Sequence, residues 1–298
     1  MNILETVRER TLLLDGAMGT ELMRAGLEPG RSPDAWNLDN PEAVRAVHAR
    51  YFAAGSDLAV TNTFGATPLK LAAFGLQERC RAINMAGARI LNEVRPEGRY
   101  VGGDIGPTGK FLKPQGEFAE SQFEDAFARQ AEALAEGGVD MFLIETMYDL
   151  REALCAVRAC RKVSPLPVFA TLTFNRTRRG FFTLMGDSPA RGLADLEKAG
   201  AAAVGANCTL DSADMADLVE IMRTATSLPL IAQPNAGQPQ VGPGGEVVYS
   251  QGLEDYVSHF PRILDNGARL IGGCCGTTPE TIRRLAGLVE DRRKTART

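Results

Sequence analysis

Histidine is almost missing from this chain: there are two in 298 residues, His48 and His259, both inside stretches of helical periodicity. That scarcity argues against a histidine-built metal site and against a Ser–His–Asp relay. No apolar run approaches the roughly 18 residues that mark a membrane-spanning helix. Neither sign of charge dominates, with 33 Lys and Arg against 37 Asp and Glu and a net charge of -4, so no basic footprint for nucleic acid or an anionic membrane is visible. No GxGxxG follows the first strand-like run and no GxxxxGK[ST] occurs anywhere, so dinucleotide and P-loop readings lack their anchor. The first ten residues are too charged for a secretory signal. A cytoplasmic protein is expected, with no nucleic-acid and no membrane partner.

What the chain does have is alternation. Short aliphatic or β-branched runs at 12–17, 57–64, 100–105, 141–146, 167–174, 203–208, 229–235 and 270–274 are separated by amphipathic stretches. Those stretches predict helices over 41–54, 78–94, 121–136, 149–163, 189–199, 211–225 and 253–266, with a last one over 279–292. Asn40-Pro41, Ser188-Pro189, Asp211 and Thr278-Pro279 have N-cap chemistry, and Gly55, Gly137, Gly200 and Gly267 suit left-handed C-caps. Eight strand–helix units without a linker between them predict a (β/α)8 TIM barrel, one domain over residues 1–298.

In a barrel the C-terminal strand ends converge on one rim, where active sites are built. Asp15, Asn62, Asp104, Glu145, Asn175, Cys208, Asn235 and the pair Cys274-Cys275 all sit at or just past such ends. Of the six cysteines, Cys80, Cys155 and Cys160 fall in helical patterns and read as packing residues. Cys208, Cys274 and Cys275 each follow an apolar strand-like run, between asparagine and glycine neighbours. Three thiolates on zinc leave one tetrahedral position open, which a catalytic zinc needs; a structural site would want a fourth ligand, and no further Cys or His lies at a strand end. A thiol entering the open position would lose its proton, and the charge of three sulfurs would keep it nucleophilic. These three cysteines are therefore the expected metal ligands and the centre of catalysis. In the segment from Leu14 to Glu21, Gly16 and Gly19 let backbone N–H groups approach a ligand carboxylate, while Asp15 and Glu145 suit an ammonium group. Together they would hold the two ends of an amino acid.

The segments Leu14-Asp15-Gly16-Ala17-Met18-Gly19-Thr20-Glu21, Thr61-Asn62-Thr63-Phe64-Gly65-Ala66-Thr67, Gly103-Asp104-Ile105-Gly106-Pro107-Thr108-Gly109, Asn207-Cys208, Pro234-Asn235-Ala236-Gly237 and Gly272-Gly273-Cys274-Cys275-Gly276-Thr277-Thr278-Pro279 resemble the zinc-dependent homocysteine S-methyltransferases, above all the homocysteine-binding module of cobalamin-dependent methionine synthases. The resemblance runs from about residue 10 to about residue 290. It implies a barrel with Zn2+ on Cys208, Cys274 and Cys275 and the L-homocysteine thiolate in the fourth position. Asp15, Gly16 and Glu145 would hold the amino and carboxylate ends with Thr63 nearby, and Asn235 would be a metal ligand when substrate is absent. Methyl transfer to sulfur would give methionine. Cobalamin-dependent methionine synthases continue into further modules, so the resemblance implies methylcobalamin presented in trans by a corrinoid protein or cobalamin module. Single-barrel relatives that use S-methylmethionine or betaine remain an alternative donor class, and a zinc-thiolate homocysteine-binding or redox-sensing barrel an alternative of another kind. The basic segment 175–187 reads either as a solvated loop or as a corrinoid contact.

Overall fold

The structure, a computed structural model, describes residues 2–242 and 247–295, so the ends of the expected domain, residues 1 and 296–298, lie outside the described residues. Eight parallel strands form one sheet: β1 (Leu12–Leu13), β2 (Leu58–Val60), β3 (Tyr100–Ile105), β4 (Met141–Met147), β5 (Val168–Leu172), β6 (Ala203–Asn207), β7 (Leu230–Gln233) and β8 (Ala268–Ile271). Neighbours in sequence are neighbours in space, and β8 pairs with β1 through Leu270–Leu12 and Ile271–Leu13. A parallel bridge from Leu14 to Leu58 joins β1 to β2 and closes the barrel. Helices pack around the sheet, as the periodicity predicts.

Alternation along the strands produces two apolar layers. Leu12, Leu14, Leu58, Val60, Met141, Leu143, Phe169, Ala203, Ile231 and Leu270 fill the barrel interior. Their neighbours, such as Leu13, Ala59, Phe142, Ala170 and Val204, face outward to the helices. The helix Ile3–Glu9, which the periodicity did not single out, plugs the N-terminal end by adding Ile3 and Val7 to the interior layer. Its start is a capping box between Asn2 and Glu5.

Several boundaries differ from the sequence reading. Most of the strands are shorter than expected at their C-terminal ends, because residues such as Asp15 and Asn62 leave the ladder for side-chain work at the rim. The predicted helix over 253–266 divides into Leu253–Ser258 and Phe260–Asp265, since Pro261 lacks an N–H and blocks continuous winding. Gly55 and Gly200 are left-handed caps, but Gly137 stays right-handed and Gly138 takes the positive φ of 90°. Asn40 makes no side-chain capping bond. Two hairpins not foreseen rise beyond the C-terminal ends of β5 and β7: Asn175–Thr177 with Gly180–Phe182, and Pro239–Val241 with Val247–Tyr249. Among the described residues no helix is long and apolar enough to cross a membrane.

Candidate active site at the barrel rim

β6 delivers Cys208, and the turn after β8 delivers Cys274 and Cys275. Their sulfurs form a triangle within 4.8 Å of one another, with Cys208–Cys275 and Cys274–Cys275 both at 4.0 Å. All three are free thiols. The chain reaches this geometry at a backbone cost, since Cys208 and Thr209 have φ of 63° and 62°, conformations that non-glycine residues avoid. The Cys208 N–H donates to Gln233 O (3.0 Å), and the Cys274 N–H to Pro234 O (2.9 Å), so β7 anchors both cysteine segments. The glycines beside the pair are steric necessities: a Cβ on Gly273 would stand 2.5 Å from Thr277 Oγ1, and one on Gly276 2.3 Å from the Tyr249 ring. Thr277 Oγ1 donates to Cys274 O (2.7 Å) and accepts from the Ala17 N–H (3.2 Å), tying the cysteine turn to the loop after β1.

Hydrogen bonds from the Cys274 and Cys275 thiols hold Cys208 as a thiolate, with its pKa lowered to about 3. The same bonds push Cys275 up to about 12 and raise Cys274 well above the ordinary thiol value. A dication bound among the three sulfurs would favour the thiolate form of each.

Asp15 follows β1 and turns into the barrel mouth, where its Oδ2 accepts from the Val60 N–H (3.0 Å). Gly16 has no room for a side chain, because a Cβ would stand 2.7 Å from Thr277 Oγ1 and 3.1 Å from Tyr51. Asp104 on β3 and Glu145 on β4 join Asp15, and Asp34, whose Oδ1 accepts from the Gly65 N–H (2.8 Å), is a fourth carboxylate. With the thiols, Gly16, Gln233 and Lys70 they line one cavity of about 350 Å3, whose outer wall is apolar: Met18, Met23, Phe64 and Phe74. Burial raises the Asp15 pKa to about 7. Burial, then the negative charges of Cys208 and Asp15, raises Glu145 to about 8. Asp104 is pushed well above the carboxylate range by burial and by Glu145 and Asp15. Asp104 Oδ1 and Gln233 Oε1 are buried without a hydrogen-bond partner. The cavity is therefore electrostatically incomplete: it presents carboxylates that a cationic group would satisfy.

The expected residues do not all reach the cavity. Thr63 is wholly buried behind its wall, with its hydroxyl spent on Asp104 O (2.8 Å) and on Thr61 Oγ1 (2.5 Å). Asn235 lies beside the thiols, and its Oδ1 accepts from the Cys275 N–H (3.1 Å), supporting the cysteine turn. Asn62 lines the cavity with its amide spent on Pro33 O and Asn37 Oδ1, and Asn175 is exposed on its hairpin. Both histidines stay away: His48 is buried in a helix and His259 contacts Ser212.

Other contributors carried no assigned role in the sequence reading. Asn207 Oδ1 accepts from the Thr146 N–H and Thr171 Oγ1, both at 2.7 Å, while its Nδ2 donates to Thr146 Oγ1 (2.7 Å) and lies 3.4 Å from Glu145 Oε2. It thereby sets Glu145 against the thiols. Gln233 ends β7 as other site residues end their strands, a signal that was available. Tyr249 comes from a hairpin, and no periodicity points to it.

The sequence profile of the family described as homocysteine S-methyltransferase matches residues 12–289. The methionine synthase of Mycobacterium leprae (strain TN) is 33% identical over 307 residues, covering 97% of this chain and 25% of its own length. That of Mycobacterium tuberculosis (strain ATCC 25618 / H37Rv) is 31% identical over 309 residues, with the same coverages. The chain thus spans about a quarter of the length of these relatives. The metallated form of the homocysteine methyltransferase MmuM from Escherichia coli superposes with a TM-score of 0.78 at 26% identity, over 96% of this chain and 100% of that one. With a matching profile over nearly its whole length, the chain belongs to the homocysteine S-methyltransferase family.

Proposed function

We propose that the protein methylates the sulfur of L-homocysteine to give methionine, with zinc held by Cys208, Cys274 and Cys275 and the methyl group presented on a corrinoid by another module or protein. The observation that carries this reading is the convergence of three free thiols and the carboxylates of Asp15, Asp34, Asp104 and Glu145 on one cavity. The thiols fit the metal. Tetrahedral zinc with Zn–S bonds of about 2.3 Å places its sulfurs about 3.8 Å apart, and two of the S–S separations here are 4.0 Å. Zinc bound there would stabilise the thiolate form of an incoming thiol near neutral pH.

The chain's own residues do the rest. Asp15, Asp104 and Glu145 hold the substrate ammonium by charge-assisted bonds, which relieves their mutual repulsion. Asn207 fixes Glu145, and Asn235 and Thr277 fix the cysteine turn. The substrate thiol releases its proton to solvent, its sulfur attacks the methyl carbon, and the bond from methyl to its carrier breaks with the electron pair on the carrier. No residue is required as a general base at that step.

A macromolecular carrier is supported by the rim itself. Phe64, Phe74, Phe111, Leu184, Val241, Val247 and Val248 all follow the C-terminal ends of barrel strands and remain 36–82% exposed. Exposed apolar side chains concentrated on the catalytic face suit an interface. Unpaired thiols also suit the reducing cytoplasm.

Zinc-loaded protein should be given homocysteine with methylcobalamin, S-methylmethionine or betaine, and methionine quantified by mass spectrometry. Methionine from methylcobalamin is expected. Turnover only with a sulfonium or quaternary ammonium donor would overturn the corrinoid part. Failure of homocysteine to bind in calorimetry would overturn the whole reading.

A further inference from the structure

The N-terminal end of the barrel, opposite the thiols, carries arginines that the fold does not use. Arg10, Arg99 and Arg293 are spent on the buried carboxylate of Asp57, and Arg292 on Asp265. Among the described residues Arg8, Arg223 and Arg269 make no ion pair and no side-chain hydrogen bond. All three line one groove of about 620 Å3, walled by Thr226, Ser227 and Leu228 and by no carboxylate. The acid bonded to the Thr226 and Ser227 hydroxyls, Glu197, is not part of its lining. Arg223 and Arg269 also line an adjoining groove of about 670 Å3 with Arg10, Arg292 and Arg293, beside Glu9 and Asp265.

Two backbone features aim these side chains. The register between β7 and β8 slips between Ala268 and Leu270, so Arg269 sits at a bulge and is exposed although its strand neighbours are buried. Bulges re-aim side chains and recur beside functional sites. Gly267, with φ of 95°, leaves open the space that a Cβ would occupy 2.3 Å from Arg223 Nη1, so that guanidinium lies against the main chain. Packing of this kind limits the freedom the side chain loses on binding.

The geometry points to a second site, on the N-terminal face, at which Arg8, Arg223 and Arg269 bind a small molecule carrying two or more linked phosphates. Three guanidinium forks without an acid present repeated bidentate donors to phosphate oxygens. The groove is concave, which favours a small ligand over a flat protein surface. In a chain of net charge -4 this local excess is not a consequence of composition. Bound there, the ligand would lie outside the methyl-transfer cavity, so its recognition is independent of the reaction assigned to the thiols.

Inorganic triphosphate and ATP should each be titrated into the full chain by calorimetry at low and at physiological salt, with sulfate as control. Saturable one-to-one binding of triphosphate is expected, tighter than sulfate. Arg269→Ala and Arg223→Ala should each weaken it by about tenfold or more, as loss of a charged hydrogen bond does, with homocysteine methylation and thermal unfolding unchanged. Tighter binding of ATP than of triphosphate would assign the site to nucleotides, and equal binding to free polyphosphate; both support it. Absence of saturable binding, equal affinity for sulfate, undiminished affinity in both variants, or binding of an acidic peptide in place of triphosphate would each overturn the proposal.

Discussion

At the scale of single residues, carboxylates that form no ion pair among the described residues define the site. Asp15, Asp104 and Glu145 share one small cavity, and each is held above its ordinary pKa by burial. A protein has no stabilising use for such a group, since every buried acid that stays unpaired costs free energy. The arrangement makes sense as one half of an ion pair whose other half arrives with the substrate. Replacing Asp104 with Asn or Glu145 with Gln should therefore raise the homocysteine KM by about 10- to 100-fold, the range set by roughly 1.5–3 kcal/mol for a charged hydrogen bond. The check is steady-state kinetics with homocysteine varied at saturating methyl donor; an unchanged KM in both variants would remove the acids from substrate binding. The convergence of Cys208, Cys274 and Cys275 was readable from the sequence because residue type and strand-end placement agree for all three, with glycines flanking the pair. Thr63 came from the family resemblance alone, and the structure places its hydroxyl behind the cavity wall, bonded to Asp104 O and Thr61 Oγ1. Asp104 was placed on the rim without a role, since only the structure reveals its unpartnered oxygen.

Elements explain how the loops between them are held. Glu152 sits on the helix Leu150–Val163 and is wholly buried, and its Oε1 accepts from both the N–H and the hydroxyl of Thr108 at 2.7 Å. That latch ties the loop after β3 to the helix after β4. Burial raises the Glu152 pKa from 4.5 to about 7, while its Oε2 finds no partner. The native state therefore holds a proton between these values that the unfolded chain has released, so this group's contribution to stability falls as pH rises from about 4.5 to about 7 and stays low above that. Glu152→Gln keeps the acceptor and removes the charge. Its stability relative to wild type should rise by about 1–3 kcal/mol at pH 8, with the gain shrinking toward pH 5, given roughly 1.4 kcal/mol per pKa unit. Urea unfolding at both pH values is the check, and a variant less stable at pH 8 would show that the ionised latch is favourable. The eight strands and the helices that follow them were legible because short apolar runs, buried along nearly their whole length, alternate with amphipathic stretches of period 3.6. The hairpins were not, because 175–177, 239–241 and 247–249 are short and largely exposed and so form no apolar run.

On the scale of the whole molecule, stability and chemistry occupy different parts of the barrel. The interior layer and the helix plug close the structure from the N-terminal end, whereas the thiols stand on turns beyond the last interior layer. A metal bound at such turns adds its binding energy to a fold that already exists, in contrast to small zinc domains that are unfolded without it. Its contribution is then one of mass action, about 2.7 kcal/mol when the free metal stands at 100 times its dissociation constant. Chelation of the zinc-loaded protein should abolish methionine formation and lower the unfolding midpoint by several degrees, at about 2–4 °C per kcal/mol for a domain of this size class. The far-UV circular dichroism of the metal-free protein should stay that of the loaded barrel. Cys208→Ala and Cys274→Ala should behave like the chelated wild type, with no bound zinc by elemental analysis and no further fall in midpoint, because each removes a ligand and nothing from the core. Loss of helical signal on chelation would mean that the metal holds the barrel together, and the separation of rim from core would then fail.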